Sequence, residues 1–120
     1  MTEPTKGART FHHVGLRAIE PQPNEDFVVL TRVWVTDPRY HPNKIEYLRY
    51  EPESPLPEEF KNSPHIAYKV DDLNEHIAGK DVLLLFEVGE PPFAKVAFVR
   101  EDGAYVKYMQ FKPGRTWFKE

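Results

Sequence analysis

Two stretches of the chain share one pattern of apolar and polar positions. Residues 44–52 alternate apolar and polar side chains and are rich in β-branched and aromatic types, which is typical of a half-buried strand. Residues 106–113 follow the same pattern. When they are aligned with residues 45–52, Lys107 takes the position of Glu46. A repeat within a chain of 120 residues indicates two similar modules in a single domain.

The first module is predicted to begin with a strand from Phe11 to Ile19. Alternation along a strand sends His13, Gly15 and Arg17 to one face and His12 to the other, where we expect a packed or surface histidine.

The rest of the first module is short. Residues Phe27–Thr36 are dense in apolar side chains and are predicted to form one strand, with a short helix as the alternative. A long turn over residues 37–43 leads into the strand of residues 44–52. Residues 20–25 are too few for a helix plus a strand, so this module is expected to keep only its first and last two strands.

The second module is predicted to contain a complete β-α-β-β-β unit. Its first strand, Pro64–Val70, repeats the opening strand, with His65 in the place of His13. The apolar spacing of residues 72–78 and the following glycine predict a short helix on which His76 is exposed. Three strands are predicted after it, at Val82–Val88, Lys95–Arg100 and Tyr105–Phe111, with a hairpin turn at Asp102-Gly103.

These elements predict an α+β fold. Two βαβββ-type modules, the first of them truncated, are expected to form a curved mixed sheet around a cleft. Module one is expected at about residues 10–53, a linker at 54–63 and module two at about 64–113, within one domain of residues 1–120. The linker assignment rests on the prolines and acidic residues of that segment.

Composition narrows the functional classes. The net charge is −3 and is spread along the chain, which favours neither nucleic acid nor an anionic membrane as a partner. No apolar run is long enough to cross a bilayer, and the first residues lack the apolar core of a signal peptide. The chain has no cysteine, which excludes disulfides, a thiolate nucleophile and a cysteine-based zinc site. We therefore expect a cytoplasmic protein with a small-molecule partner.

Three segments resemble the vicinal oxygen chelate superfamily, which includes glyoxalase I, extradiol dioxygenases, fosfomycin-resistance enzymes and bleomycin-binding (bleomycin resistance) proteins. Residues 11–16 are similar to its opening strand, residues 65–73 to the opening of its second module, and residues 99–107 to its closing hairpin. The resemblance covers roughly residues 10–113.

The resemblance implies a divalent metal site with one residue from each of four strands. The corresponding positions are His13, Glu46, His65 and Lys107. The first three match the family pattern, whereas Lys107 stands where a glutamate is usual. The short first module is a second departure, and it leads us to expect a homodimer.

The residue types support that chemistry independently. His13 and His65 begin equivalent strands, and a curled sheet would bring both of them and Glu46 into one concavity. Two imidazoles and a carboxylate suit Fe(II), Mn(II), Ni(II) or Zn(II) and leave positions open for a bidentate oxygen ligand. Dioxygenase chemistry or lyase or isomerase chemistry would fit, and Lys107 is the nearest candidate for a catalytic base.

A metal-free alternative stays open. Glu46 and Lys107 occupy equivalent positions, so an ion pair between them could take the place of the metal in a protein that sequesters a small molecule. A third possibility is an interaction module that pairs with another copy of itself. For both the metal enzyme and the metal-free binding protein, six further residues on the inward strand faces are candidate contacts for the small molecule: Arg17, Leu48, Tyr50, Lys69, Met109 and Phe111.

Overall fold

The computed structural model describes residues 8–119, so residues 1–7, on which the signal-peptide prediction rests, lie outside the described range. The described chain forms a mixed sheet of eight strands with two short α-helices and one 3-10 helix, Pro38–Tyr40. The elements in chain order are β1 (Arg9–Arg17), β2 (Asp26–Val28), β3 (Val33–Val35), β4 (Ile45–Tyr50), α1 (Glu58–Asn62), β5 (His65–Val70), α2 (Leu73–Ile77), β6 (Asp81–Gly89), β7 (Pro92–Glu101) and β8 (Ala104–Phe111).

The chain divides into two compact units. One comprises His12–Ile66 and is called the 12–66 unit below. The other comprises the described residues before His12 and after Ile66 and is called the 67–119 unit. Across the described residues, no helix is both long and apolar enough to cross a membrane.

The 12–66 unit is built on the strand order β2-β3-β4-β1. Strand β4 pairs in parallel with β1, with Gly15 beside Glu46, and antiparallel with β3. Because parallel neighbours in register point their side chains to the same side, this pairing puts Glu46 on the face of β1 that carries His13.

The single strand predicted at Phe27–Thr36 is wrong, because this segment is a hairpin of β2 and β3. The chain turns over residues 29–32, where Arg32 has a φ of 53°. Val29 and Leu30 are exposed at the turn, so the apolar run that suggested one strand includes two residues outside the core. The segment has no glycine or proline to mark the turn, which is why the pattern concealed it. With β2 present, the first module has four strands rather than the three that were expected.

The segment predicted as a linker contains the helix α1. Phe60 and Lys61 of this helix are buried. A five-residue helix with one apolar anchor gives no helical period to read, and the prolines before it dominated the sequence pattern.

The 67–119 unit has the strand order β5-β8-β7-β6, which repeats the order of the first unit. Helix α2 begins after Asp72, whose side chain accepts a hydrogen bond from the Glu75 amide, and it contributes Leu73 to the core. That core cluster consists of Val70, Leu73, Ala97, Val99, Val106 and Tyr108. The predicted hairpin turn is confirmed, since Asp102 and Gly103 both have positive φ, at 54° and 78°.

His76 on α2 is buried rather than exposed as predicted. Its side chain retains 8% of its accessible surface, and its ring centroid lies 5.6 Å from that of Tyr108. The helix is too short for its apolar stripe to be distinguished from its polar face, so the residue pattern does not predict that the imidazole is buried.

Candidate metal centre

Three side chains with metal-binding donor atoms come together within the 12–66 unit. His13 is on β1, Glu46 is on β4, and His65 begins β5. His13 Nε2 lies 3.2 Å from Glu46 Oε1, and His65 Nε2 lies 3.7 Å from the same oxygen. One donor atom from each of the three residues lies within 4.8 Å of the other two. The three residues that were predicted to meet therefore lie close together.

All three donor residues are buried. The exposed fractions of His13, Glu46 and His65 are 0%, 2% and 3%. A carboxylate in such surroundings is costly unless positive charge or hydrogen-bond donors face it, and here two imidazoles do. A bound cation, or N–H groups of the two imidazoles, would offset the cost of burying the Glu46 carboxylate.

Gly15 makes room for His65. A Cβ atom built on Gly15 would overlap the His65 imidazole, whose Nδ1 would be 2.6 Å away. The His65 ring thus lies directly over the backbone of β1 at Gly15, which is the residue that pairs with Glu46. Only glycine permits this approach, so Gly15 is part of the site although it supplies no donor atom.

His12 contacts the centre through His13, contrary to the expectation that it faces away. The Nδ1 atoms of the two rings are 2.7 Å apart, and the ring centroids are 5.0 Å apart. A contact of this length between two ring nitrogens requires a proton on one of them. If His13 holds it, His13 Nε2 has a lone pair for a metal; if His12 holds it, His13 Nε2 carries a hydrogen atom and cannot bind a metal.

The donor set fits a divalent transition metal. Ligand bonds of about 2.1 Å place neighbouring donors about 3 Å apart around an ion. The separations of 3.2 and 3.7 Å from Glu46 Oε1 are close to that value. Two neutral imidazoles and one carboxylate suit Fe(II), Mn(II), Ni(II) and Zn(II) better than the oxygen-seeking Ca²⁺ or Mg²⁺.

Three of the predicted substrate contacts belong to the same unit. Arg17 lies on the His13 face of β1, and Leu48 and Tyr50 lie on the Glu46 face of β4. Leu48 is buried, and burial together with the charge of Glu46 raises the pKa of the Tyr50 phenol well above its usual value.

The other four predicted site residues belong to the 67–119 unit. Lys107, Met109 and Phe111 alternate along β8, and the first two are buried. Lys107 Nζ lies 5.6 Å from the centre of the Phe98 ring, and Lys69 Nζ lies 5.8 Å from that of Phe111. The catalytic role of Lys107 and the substrate contacts of the other three stay predictions.

The sequence and the fold were compared with known proteins in three ways. No protein-family model, no curated protein and no solved structure matches the chain. The resemblance to the vicinal oxygen chelate superfamily therefore stays a prediction, and the function must be argued from the donor set itself.

Proposed function

We propose that this chain is a glyoxalase-like metalloprotein that acts on a small molecule with two neighbouring oxygen atoms. His13, Glu46 and His65 would hold the divalent ion. The observation that supports this most directly is the buried approach of two imidazole Nε2 atoms to one carboxylate oxygen, at 3.2 and 3.7 Å. Lyase or isomerase chemistry and dioxygenase chemistry are the reaction classes that such a site serves.

A bound ion would act as a Lewis acid toward a carbonyl or enolate oxygen, with open positions beyond the three protein donors. The protein residues have complementary tasks. Glu46 would offset positive charge at the centre, and burial of the three donor residues limits their contact with water. His12 Nδ1 would accept a hydrogen bond from the protonated Nδ1 of His13, which leaves the lone pair of His13 Nε2 for the ion. Lys107 is the proposed base for proton transfer in lyase or isomerase chemistry.

Three expectations accompany this proposal. The two modules would curve around a common cleft, the chain would form a homodimer, and the protein would be cytoplasmic. Size-exclusion chromatography with light scattering tests the second, and a monomer at micromolar concentration would refute it.

Metal content tests the proposal. The protein is purified without chelators and analysed for Fe, Mn, Co, Ni and Zn, alongside His13→Ala, His65→Ala and the control His41→Ala. His41 is a suitable control because it lies in the turn before β4, where its Nδ1 accepts a hydrogen bond from the Asn43 amide. We expect about one ion per chain in the wild type and the control, and at least tenfold less in the two site variants. Equal and negligible metal in all four proteins would reject the proposal.

A metal-free binding protein is the second candidate. The distance of 3.2 Å between His13 Nε2 and Glu46 Oε1 also suits an ion pair with a protonated His13, so positive charge can face the carboxylate without a metal ion. In this candidate Lys107 would pair with Glu46 and the protein would sequester its ligand unchanged. A crystal soaked with Zn(II) or Mn(II) separates the two: Glu46 turned toward an ion supports the enzyme, and a direct Glu46–Lys107 contact supports the binder.

A further inference from the structure

A second group of polar side chains lies on the same strand faces as the metal donors. Arg17 is four residues after His13 on β1, and Tyr50 is four residues after Glu46 on β4. At about 3.3 Å per residue, both lie about 13 Å along the strands from the donors. Because β1 and β4 are parallel, Arg17 and Tyr50 lie in the same direction from the centre.

Helix α1 adds a second cation to this end of the face. Arg17 Nη1 donates to Glu58 Oε2 at 3.2 Å and to Asn62 Oδ1 at 2.6 Å. Lys61 lies between them in the helix, and its Nζ is 5.8 Å from the centre of the Tyr50 ring. The Arg17 guanidinium is also 5.8 Å from the centre of the Tyr50 ring, so both cations lie close to this ring.

The charges in this group do not balance. Lys61 retains only 7% of its accessible surface, and its Nζ has the Ser54 carbonyl at 3.3 Å and Glu58 Oε1 at 3.6 Å. Glu58 is 69% exposed and is also the carboxylate that Arg17 binds. The Glu58 carboxylate thus bridges two cations, and the three charged groups together carry a net positive charge. An anion that joins the exposed Glu58 carboxylate, or displaces it, would balance that charge.

We infer that the group of Arg17, Tyr50 and Lys61 binds an anionic group, most simply a carboxylate, of the molecule whose neighbouring oxygens bind at the metal centre. The substrate class is then a small organic acid with vicinal oxygens at one end and a negative charge up to about 13 Å away. The inference rests on the proposed function for its metal-bound end, whereas the anion site depends only on Arg17, Tyr50 and Lys61.

The test compares two probes that differ only in terminal charge. The Co(II)-loaded protein is titrated with alkyl hydroxamates that end in a carboxylate or in a carboxamide, over chains of three to eight methylene groups. Hydroxamates present two neighbouring oxygens, and Co(II) absorption reports their binding. We expect the carboxylate to bind at least tenfold more tightly than the carboxamide at the best chain length, which corresponds to about 1.4 kcal/mol.

Variants show whether Lys61 causes the preference. Lys61→Met keeps the length and apolar stem of the side chain, and it should reduce the preference to less than threefold. Lys61→Arg restores the charge and should recover most of it. Lys112→Met is the control, because it removes an exposed lysine whose partner is Glu87 in the 67–119 unit. Equal binding of the two probes to the wild type, or an unchanged preference in folded Lys61→Met, would overturn the inference.

A metal-free arm separates failure of the inference from failure of the proposed function. Hexanoate and hexanamide are titrated into metal-free protein and followed by backbone amide shifts. A preference for hexanoate that is lost in Lys61→Met would support the anion site even if the chain binds no Co(II). No preference in this arm, together with normal Co(II) binding, would overturn the anion site and leave the metal proposal standing.

Discussion

At the scale of single residues, the pair of adjacent histidines is the most informative feature. His12 Nδ1 and His13 Nδ1 share a contact of 2.7 Å, so the position of one proton decides whether His13 Nε2 offers a lone pair or an N–H group. In metal sites, the group that hydrogen-bonds to the second ring nitrogen of a ligating imidazole sets its tautomer and orientation.

Replacement of His12 should weaken metal binding without removing a donor. His12→Phe keeps a ring but cannot exchange a proton with His13, so we expect a loss of about 10- to 100-fold in affinity for Zn(II) or Co(II). His12→Asn places amide O and N atoms near the position of Nδ1 and should recover most of the affinity. Competition with a chromophoric chelator measures both variants. If His12→Phe binds as tightly as the wild type, His12 has no role in positioning His13.

The sequence predicted the meeting of His13, Glu46 and His65 because the repeat fixed their places on equivalent or paired strands. It did not predict the role of His12, because strict alternation sends neighbouring side chains to opposite faces. The rule describes Cα–Cβ directions, whereas a half-buried ring can still turn toward its neighbour. The available signal was the His12-His13 dipeptide itself.

At the scale of elements, the position of the His65 ring over β1 depends on Gly15. The His65 ring occupies the space in which any other residue at position 15 would place its Cβ. A methyl group there must displace the ring or separate the strands, and overpacking of this kind costs about 1–3 kcal/mol.

A thermodynamic cycle tests this contact in metal-free protein. Gly15→Ala should lower the free energy of unfolding by about 1–3 kcal/mol in the wild-type background. In a His65→Ala background the same change should be neutral or stabilising by about 0.5 kcal/mol, because the space is empty and alanine suits a strand better than glycine. Urea denaturation gives all four values. An equal cost in both backgrounds would mean that the two residues do not compete for space.

The elements that escaped prediction share one cause. The hairpin of β2 and β3 turns at Val29 and Leu30, and helix α1 has a single apolar anchor in Phe60. Both are shorter than the window over which a period of two or 3.6 can be recognised. The Asp102-Gly103 turn was predictable because aspartate and glycine readily adopt the positive φ values that a two-residue hairpin requires.

At the scale of the whole molecule, one buried phenol links stability to pH. Tyr108 is 1% exposed; its hydroxyl donates to Glu101 Oε1 at 2.6 Å and accepts from Arg9 Nη1 at 3.0 Å. Burial, with the hydrogen bond to Glu101 and its charge, raises the pKa of Tyr108 to about 12. The unfolded chain, in which this pKa is about 10, therefore loses the proton first as the pH rises.

The contribution of Tyr108 should be complete below about pH 10 and lost between about pH 10 and 12. A difference of two pKa units corresponds to about 2–3 kcal/mol, so wild-type stability should fall by about that much more than the stability of Tyr108→Phe over this interval. Tyr40→Phe is the control, since Tyr40 is 78% exposed. Chemical denaturation at pH 9 to 12 measures the slopes. Parallel slopes for wild type and Tyr108→Phe would contradict the assignment.

The placement of all three donors in the 12–66 unit has a kinetic consequence. An ion held by His13, Glu46 and His65 would leave completely only after each of these buried donors has released it. If release requires local opening of the strands that carry them, the rate at which an excess of chelator strips the ion should match the rate of amide hydrogen exchange in β1 and β4.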